Sequence, residues 1–261
     1  MKVRFLGAHN TESRQTKMAA LVVDGLLAID AGGLTSGLSF RAQEKLKALL
    51  ITHQHYDHIR DLPALAMNLS LRGSSISVYS TRPVHEALKK YLFDGRLYPN
   101  FFEPRDDKTV LSFKLLEPHR SSVIEGYTVL PVPVIHPVPT VGYEVMARRG
   151  QTLFYTGDTG PGLYETWRHV SPHLLIIEVT VSNRFDDFAK ESSHLSPNLL
   201  KEELSTFKEL KGYLPRVVTV HMNPDLEREI GPQVEAVASE LGADITMAHE
   251  GLEIELEDPM A

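Results

Sequence analysis

The sequence reads His53-Gln54-His55-Tyr56-Asp57-His58 directly after an apolar strand that ends at Ile51-Thr52. Loops that follow strands are where a rigid sheet presents its chemistry. Three imidazoles and one carboxylate add little to packing, because a buried imidazole needs a hydrogen-bond partner and an exposed one contributes little. A solvated polar loop is the alternative interpretation, but metal binding uses all four side chains. The stretch therefore predicts a metal site in the loop beyond a strand.

Three further candidate ligands each follow an apolar, strand-like run: His136 after residues 132–135, Asp158 after residues 153–157, and His221 after residues 217–220. Each is ordinary by itself, since a lone histidine is usually structural and an aspartate between glycines can be part of a turn. Four ligands from one loop could also complete a single closed site. Together, the positions indicate convergence on one sheet edge, and this mixture of nitrogen and oxygen ligands suits Zn²⁺, Mn²⁺ or Fe²⁺.

Length and composition exclude several classes of protein. The 261 residues suit one large domain or two, and because no linker or repeat is visible we expect one domain over residues 1–261. The net charge of −7 disfavours nucleic acid as a partner. The chain has no cysteine, which excludes disulfides, a thiol nucleophile and thiolate metal ligands. Any metal must therefore be bound by nitrogen and oxygen.

The N-terminus lacks the apolar core of a signal peptide, and no stretch approaches the roughly 18 apolar residues of a membrane span. We therefore expect a cytoplasmic protein with no membrane partner.

Strand signals dominate the first third of the chain, over residues 3–6, 18–23, 26–29 and 46–51. Asp24-Gly25 favours a type I′ turn and so predicts a hairpin. The Asp61 carboxylate is expected to cap a helix that extends to residue 71, with Pro63 in its first turn. A second helix is expected over residues 81–92, where apolar residues recur four apart.

Strand patterns return over residues 109–155, and after Pro161 apolar runs alternate with helices, the last of them over residues 197–210 and 229–241. Many strands early and strand–helix alternation late predict sheets that pack on each other and are covered by helices.

The ligand pattern, His-x-His-x-Asp-His after a strand with later His, Asp and His residues, resembles that of the metallo-β-lactamase superfamily. The resemblance covers nearly the whole chain and implies an α/β fold, the αββα four-layer sandwich of that family. It also implies two metal ions. By the resemblance, one ion is held by His53, His55 and His136, the other by Asp57, His58 and His221, and Asp158 bridges the two.

Several segments resemble the class II cyclic-nucleotide phosphodiesterases within this superfamily: Thr156-Gly157-Asp158-Thr159-Gly160-Pro161, Ile176-Ile177-Glu178-Val179, Ser193-His194-Leu195-Ser196-Pro197 and Tyr98-Pro99-Asn100-Phe101. The tRNase Z enzymes are the nearest relatives and share a similar Glu and His pair. Bacterial tRNase Z carries a long tRNA-clamping insertion between the positions of His136 and Asp158, whereas here only the 21 residues 137–157 intervene. Lactonases and glyoxalase II-type thioesterases share the first motif, but the segment around His194 is not expected in them.

The resemblance implies a small phosphodiester such as a cyclic nucleotide as substrate, and two divalent ions, Zn²⁺ or Mn²⁺ with Fe²⁺ as a further option, as cofactors. Two cations about 3.5–4 Å apart would clamp the diester and acidify a bridging water, whose hydroxide would attack phosphorus. The departing ribose oxygen is a poor leaving group, so a proton donor should matter. We expect His194 to be this general acid, Glu178 to orient and charge it, and Asp57 to belong to the catalytic group. A helix-capping or surface role is the alternative for His194.

Two other hypotheses for function remain open, a tRNase Z-like 3′-processing endoribonuclease and an iron-bound oxygen-sensing or redox module on the same fold. A homodimer is compatible with the habit of the family. The aromatic segment that contains Tyr91, Phe93 and Tyr98 could stack a purine, line a lid or form a small satellite core. His9 and His249 follow the first and last strands and could approach the site.

Overall fold

The computed structural model describes residues 1–104 and 108–258. The first six strands in the chain are β1 Lys2–Gly7, β2 Ala20–Val23, β3 Leu27–Ile29, β4 Ala48–Leu50, β5 Ile76–Ser80 and β6 Leu111–Leu115. The next seven are β7 Ser122–Ile124, β8 Tyr127–Pro133, β9 Val141–Met146, β10 Thr152–Tyr155, β11 Leu174–Glu178, β12 Arg216–Val220 and β13 Ile245–Met247, and the last is β14 Glu253–Glu255.

These strands form two mixed sheets of seven strands each. The first has the order β14-β1-β2-β3-β4-β5-β6, and the second has the order β13-β12-β11-β10-β9-β8-β7. Strands β3 to β6 pair in parallel, as do β10 to β13, whereas the remaining pairs are antiparallel. Parallel neighbours present their carboxyl ends at the same edge, so the residues that follow these strands meet there.

Helices connect and cover the strands. They are α1 Leu34–Gly37, α2 Phe40–Lys45, α3 Tyr56–Ile59, α4 Leu62–Ser70, α5 Arg82–Ala87, α6 Tyr164–His169, α7 Asp186–Ser192, α8 Pro197–Lys211 and α9 Glu227–Leu241. A π-helical turn Leu88–Leu92 continues α5, and a 3₁₀ turn Asn183–Phe185 precedes α7. None of the helices in the described part of the chain has the length and apolar character needed to cross a bilayer.

Alternating side chains in the first sheet separate two cores. In β4, Ala48 and Leu50 belong to the core between the sheets, whereas Leu49 belongs to the core under α1, α4 and α5. This alternation follows from the strand period of two. Both faces of the second sheet are also buried, and its outer side packs against α6, α8 and α9. The result is the αββα four-layer sandwich that the resemblance implies, with helices outside two central sheets.

Most of the predicted elements are present, and one predicted contact is wrong. Asp24 and Gly25 both have positive φ, 48° and 72°, in the hairpin between β2 and β3. Asp61 does precede α4, but its carboxylate makes no capping bond there. It accepts hydrogen bonds from Thr35 N (2.7 Å) and Thr35 Oγ1 (2.8 Å) in the first turn of α1 instead. The carboxylate therefore ties α1 to α4 across space.

Candidate metal centre

All nine residues that the sequence analysis assigned to ligation or catalysis lie at one edge of the two sheets. His53 and His55 follow β4, and His136 follows β8 by three residues. Asp158 follows β10 by three residues, Glu178 is the last residue of β11, and His221 directly follows β12. Asp57 and His58 lie in the short helix α3 rather than in an open loop, and His194 lies between α7 and α8.

Close backbone contacts hold this edge together. A Cβ atom at Gly32 would lie 2.2 Å from the carbonyl oxygen of Asp57, so only glycine allows this approach to the first motif. Asp30 (φ 57°), Ser193 (φ 57°) and His221 (φ 64°) have left-handed backbones that non-glycine residues adopt rarely. Such strained positions concentrate where a fold positions functional groups.

The first ligand group consists of His53, His55, His136 and Asp158, whose ligand atoms all lie within 4.8 Å of one another. His136 Nε2 lies 3.1 Å from His55 Nδ1, while Asp158 Oδ2 lies 3.7 Å from His53 Nε2 and 4.0 Å from His136 Nε2. Three ring nitrogens and one carboxylate oxygen thus surround a common point. This is the donor set of a divalent-cation site.

The second ligand group consists of Asp57, His58, Asp158 and His221, again with ligand atoms within 4.8 Å. Asp158 Oδ1 lies 3.0 Å from His58 Nε2 and 3.4 Å from His221 Nε2, and Asp57 Oδ2 lies 3.0 Å from His221 Nε2. Asp158 therefore presents Oδ2 to the first group and Oδ1 to the second. This is the arrangement of a carboxylate that can bridge two ions.

Three buried polar atoms, two ring nitrogens and one carboxylate oxygen, show whether these groups fit a metal. His53 Nε2 is buried and has no hydrogen-bond partner among the described residues, and His58 Nε2 and Asp158 Oδ1 are also buried without one, because their 3.0 Å approach lacks hydrogen-bond geometry. Buried polar atoms normally have a partner, and an unsatisfied one costs free energy. Cations at these positions would satisfy all three, so the residues present fit a metal pair.

The protonation states of the ligands support the same conclusion. Burial, reinforced by neighbouring histidines, holds the pKa of His53 well below its usual range, and burial also lowers the pKa of His136. Both rings are therefore neutral near pH 7, as a ligand must be. Burial also disfavours charge on His58, but Asp158 and Asp30 outweigh it and raise the pKa of His58 well above normal. Metal binding would displace that proton.

Asp30 supports the candidate centre but is not among the residues expected from the sequence. It is fully buried after β3, and its Oδ2 accepts from His58 Nδ1 at 2.7 Å. Thr52 Oγ1 donates to the same oxygen at 2.9 Å and lies 3.0 Å from His53 Nδ1. Asp30 thus orients one histidine of each group, His58 directly and His53 through Thr52, so that each turns Nε2 toward the centre. The signal was present in the sequence, because Asp30 also follows an apolar run.

Glu178 has a corresponding position in the second sheet. It is fully buried, and its Oε1 lies 2.7 Å from His194 Nδ1. Thr180 Oγ1 donates to Oε2 at 2.6 Å and lies 2.8 Å from His221 Nδ1. The backbone amides of Thr159 and Leu195 also donate to this carboxylate. Glu178 is therefore a fully hydrogen-bonded anchor for His194 and His221.

His194 joins the cluster without belonging to either ligand group. Its ring centroid lies 5.4 Å from that of His136 and 5.5 Å from that of His221. Asp158, Glu178, His194 and His221 form a third set with ligand atoms within 4.8 Å. Burial lowers the pKa of His194, but the Glu178 carboxylate outweighs it and raises that pKa to about 9. In the metal-free protein the ring is therefore a proton donor at neutral pH.

The other residues singled out in the sequence have structural contacts. His9 Nδ1 lies 2.8 Å from Glu250 Oε1, and His249 Nδ1 lies 3.2 Å from the carbonyl oxygen of Glu250. Phe93 is buried in the core under the outer helices of the first sheet, and Tyr98 packs against that core. Tyr91 is 64% exposed. The aromatic segment is thus mainly a satellite core.

Comparisons with known proteins identify the family to which this chain belongs. The family model described as "Beta-lactamase superfamily domain" matches residues 30–222. A 3′,5′-cyclic-nucleotide phosphodiesterase from Aliivibrio fischeri is 24% identical over 224 residues, and the match covers 74% of this chain and 66% of that protein. Ribonuclease Z from Pyrococcus abyssi is 33% identical over 156 residues, or 55% of this chain and 47% of that protein. The chain spans less than two thirds of the length of either relative.

Among solved structures, unliganded yeast PDE1 superimposes with a TM-score of 0.82 and 18% identity, and the match covers 98% of this chain and 99% of that one. At this identity the likeness concerns the fold alone. The family match extends from Asp30 to Met222 and so contains every residue of the two ligand groups. The chain belongs to the β-lactamase superfamily, and its fold is the metallo-β-lactamase fold.

Proposed function

We propose that this protein is a dinuclear metal-dependent phosphodiesterase that hydrolyses a cyclic nucleotide or a similar small phosphodiester. The observation that carries the proposal is the pair of Glu178 and His194 beside the two ligand groups. An alkoxide is a poor leaving group, so a hydrolase that expels a ribose oxygen benefits from a positioned acid. The relative named as a cyclic-nucleotide phosphodiesterase agrees with this substrate class.

In this proposal His53, His55 and His136 hold one ion, Asp57, His58 and His221 hold the other, and Asp158 is shared. Zn²⁺ and Mn²⁺ both suit these donors, as does Fe²⁺. When bound, two such ions would supply an acidified water as nucleophile and neutralise charge on the phosphoryl oxygens.

The protein's own residues supply the proton and its position. Glu178 accepts the hydrogen bond from His194 Nδ1, which leaves Nε2 as the ring nitrogen that can deliver a proton to the leaving oxygen. The side chain of His194 is 18% exposed, whereas Glu178 is fully buried. The acid is therefore accessible while its anchor is protected from water, which strengthens their interaction.

The short connection between two ligands favours a small substrate. Residues 137–157 between His136 and Asp158 contain β9 and β10, which pair with each other through a turn at residues 147–151. No separate arm extends from this part of the chain, which the structure describes completely. The match to ribonuclease Z nevertheless makes a 3′-processing nuclease the second candidate.

One experiment separates these functions. The purified apoprotein is loaded separately with Zn²⁺, Mn²⁺ and Fe²⁺ and assayed on bis(p-nitrophenyl) phosphate, cyclic AMP, a tRNA precursor and a lactone. We expect hydrolysis of the two small diesters. Cleavage of the tRNA precursor alone would favour the nuclease, activity on the lactone alone would refute the phosphodiesterase, and O₂ consumption by a ferrous sample without hydrolysis would favour a redox module.

Two variants test the assigned residues. Asp158→Ala should lose metal and activity together, because it removes the side chain that both ligand groups share. His194→Ala should slow cleavage of cyclic AMP by about 10²–10⁴-fold but slow a diester with a p-nitrophenol leaving group far less. His249→Ala, an exposed histidine, is the matched control. An equal loss of rate on both substrates would show that His194 is not the general acid.

A further inference from the structure

A cleft of about 600 Å³ opens beside the candidate metal centre. His136 lines this cleft and also belongs to the first ligand group. A molecule bound in the cleft would therefore contact the segment that carries His136, whose imidazole is turned into the first ligand group and is 1% exposed. The volume is within the range of about 300–1,000 Å³ that is typical of small-molecule sites.

The walls of the cleft are rigid and mainly apolar. They come from the start of α5, the loop after β6 and the segment that carries His136, and they include Pro83, Pro118, Pro133, Val134, Pro137 and Val138. Proline fixes its own φ and has no backbone donor, so these walls lose little entropy when they bind a ligand. Such a surface suits a flat, rigid ring.

A positively charged side chain also lines the cleft. Arg82 lines it, is exposed, and has no carboxylate within ion-pairing distance among the described residues. Glu117 in the same lining is already paired with Arg120 at 2.9 Å. In a chain of net charge −7, an arginine of this cleft without a carboxylate partner among the described residues is available to a ligand. A guanidinium stacks on aromatic rings and binds phosphate oxygens.

A buried hydroxyl in the same lining lacks a partner. Thr81 is 7% exposed, and its Oγ1 has no hydrogen-bond partner in the described part of the chain. Such groups are normally satisfied by protein, water or a ligand. A ring with polar edge atoms offers this hydroxyl a partner, whereas an aliphatic chain does not.

We propose that this cleft, here named the proline cleft, binds the base of a nucleotide substrate while the phosphate lies at the metal centre. The inference rests on the proposed function and specifies the part of the substrate that is recognised. The base lies against the proline rings, and Arg82 contacts its face or its phosphate. This assignment makes the residues of the proline cleft determinants of binding rather than of proton transfer.

Equilibrium binding to the zinc-loaded full chain tests the proposal with three probes: AMP, ribose 5-phosphate and inorganic phosphate. We expect AMP to bind about tenfold more tightly than ribose 5-phosphate, because a stacked base contributes on that order. Pro118→Trp, which fills the cleft from a wall that carries no metal ligand, should abolish this difference. Pro104→Trp, at an exposed proline outside the cleft, should retain it.

Arg82→Gln should weaken AMP binding several-fold, whereas Arg168→Gln, at an exposed arginine paired with Glu165, should not. Equal affinity for AMP and ribose 5-phosphate, or full AMP preference in Pro118→Trp, would overturn the proposal. Preferential binding of hexanoate would also overturn it, because the cleft would then bind an acyl chain and not a base. Wild-type hydrolysis of cyclic AMP is measured in parallel. A preference for AMP without hydrolysis would refute only the proposed function. Hydrolysis without a preference for AMP would refute only the assignment of the base to the proline cleft.

Discussion

Asp30 and Glu178 have equivalent positions in the two sheets but support different groups. Each is fully buried at the carboxyl end of a strand, each binds one histidine directly at 2.7 Å, and each reaches a second histidine through a threonine hydroxyl. Asp30 serves His58 and His53, which belong to the two ligand groups. Glu178 serves His221, a ligand candidate, and His194, which lies outside both groups.

In the proposed function, this difference separates metal binding from acid catalysis. A carboxylate behind a histidine fixes which ring nitrogen faces the centre, whatever that histidine then does. Both histidines behind Asp30 belong to the proposed ligand groups, so we expect its loss to weaken metal affinity first. By the same proposal, Glu178 orients one candidate ligand, His221, and the candidate acid His194, so we expect its loss to act mainly on catalysis.

The largest effect is expected for Glu178→Gln. The neutral amide preserves shape but removes the charge that raises the pKa of His194 to about 9. We expect cleavage of cyclic AMP to fall by about a hundredfold, within the range of general acid catalysis, while metal content changes much less. The measurements are kcat for two diesters of different leaving group and metal content by atomic emission.

The same variant has a pH signature in the metal-free protein. A raised histidine pKa stabilises the fold fully below the unfolded pKa near 6.5, and this contribution is lost as pH rises through about 9. Wild-type apoprotein should therefore lose more stability between pH 6.5 and 9 than Glu178→Gln, as measured by urea unfolding. Identical slopes would show that Glu178 does not charge His194.

Asp30→Asn should have the next largest effect. Unlike Glu178→Gln, it should lower metal affinity more than kcat. Changes to residues behind metal ligands cost about 10–100-fold in metal affinity. Competition with a chelator measures this loss of affinity. We expect kcat to recover at saturating metal. Asp244→Asn, an exposed aspartate paired with Arg216, is the matched control. A variant with normal affinity and low kcat at saturation would contradict the division of roles between the two carboxylates.

The two threonines provide a finer comparison. Thr52→Val and Thr180→Val each remove one hydroxyl between a carboxylate and a histidine. A hydrogen bond contributes about 0.5–1.5 kcal/mol, so each should weaken one ion several-fold. Thr52→Val should weaken the ion of the first group and Thr180→Val the ion of the second. Stepwise titration with Co²⁺, whose absorption reports each site, distinguishes them, and identical titrations would contradict the pairing.

The sequence predicted the ligands better than their supports. His136, Asp158 and His221 were each found because a polar residue follows an apolar run, and the same rule applies to Asp30, although before Ala31 and two glycines it resembles a turn. Thr52 and Thr180 had no such signal, because threonine at a strand end is ordinary and its role depends on distances. The prediction that the Asp61 carboxylate caps α4 was wrong, because this carboxylate accepts hydrogen bonds from α1 instead. The metal and catalytic roles themselves stay predictions.

The smallest effect is expected at a third histidine–carboxylate pair, which has the same geometry without a ligand role. His9 Nδ1 lies 2.8 Å from Glu250 Oε1, and His9 is outside all three sets of ligand atoms. Burial lowers the pKa of His9, but Glu250 outweighs it and raises that pKa, while His9 and the amide of Lys17 lower the pKa of Glu250 against its own burial. His9→Gln should therefore leave metal content and kcat unchanged.

The effect of His9→Gln should be on stability alone. The contribution of His9 is full below its unfolded pKa near 6.5 and is lost as pH rises through its folded value, whereas that of Glu250 is lost as pH falls below about 4.5. The variant should be most destabilised between these limits and approach wild type at higher pH, as measured by urea unfolding. A loss of metal in this variant would mean that a histidine–carboxylate pair affects the centre without belonging to a ligand group, and contact with the ligand candidates would no longer explain why Asp30 and Glu178 matter.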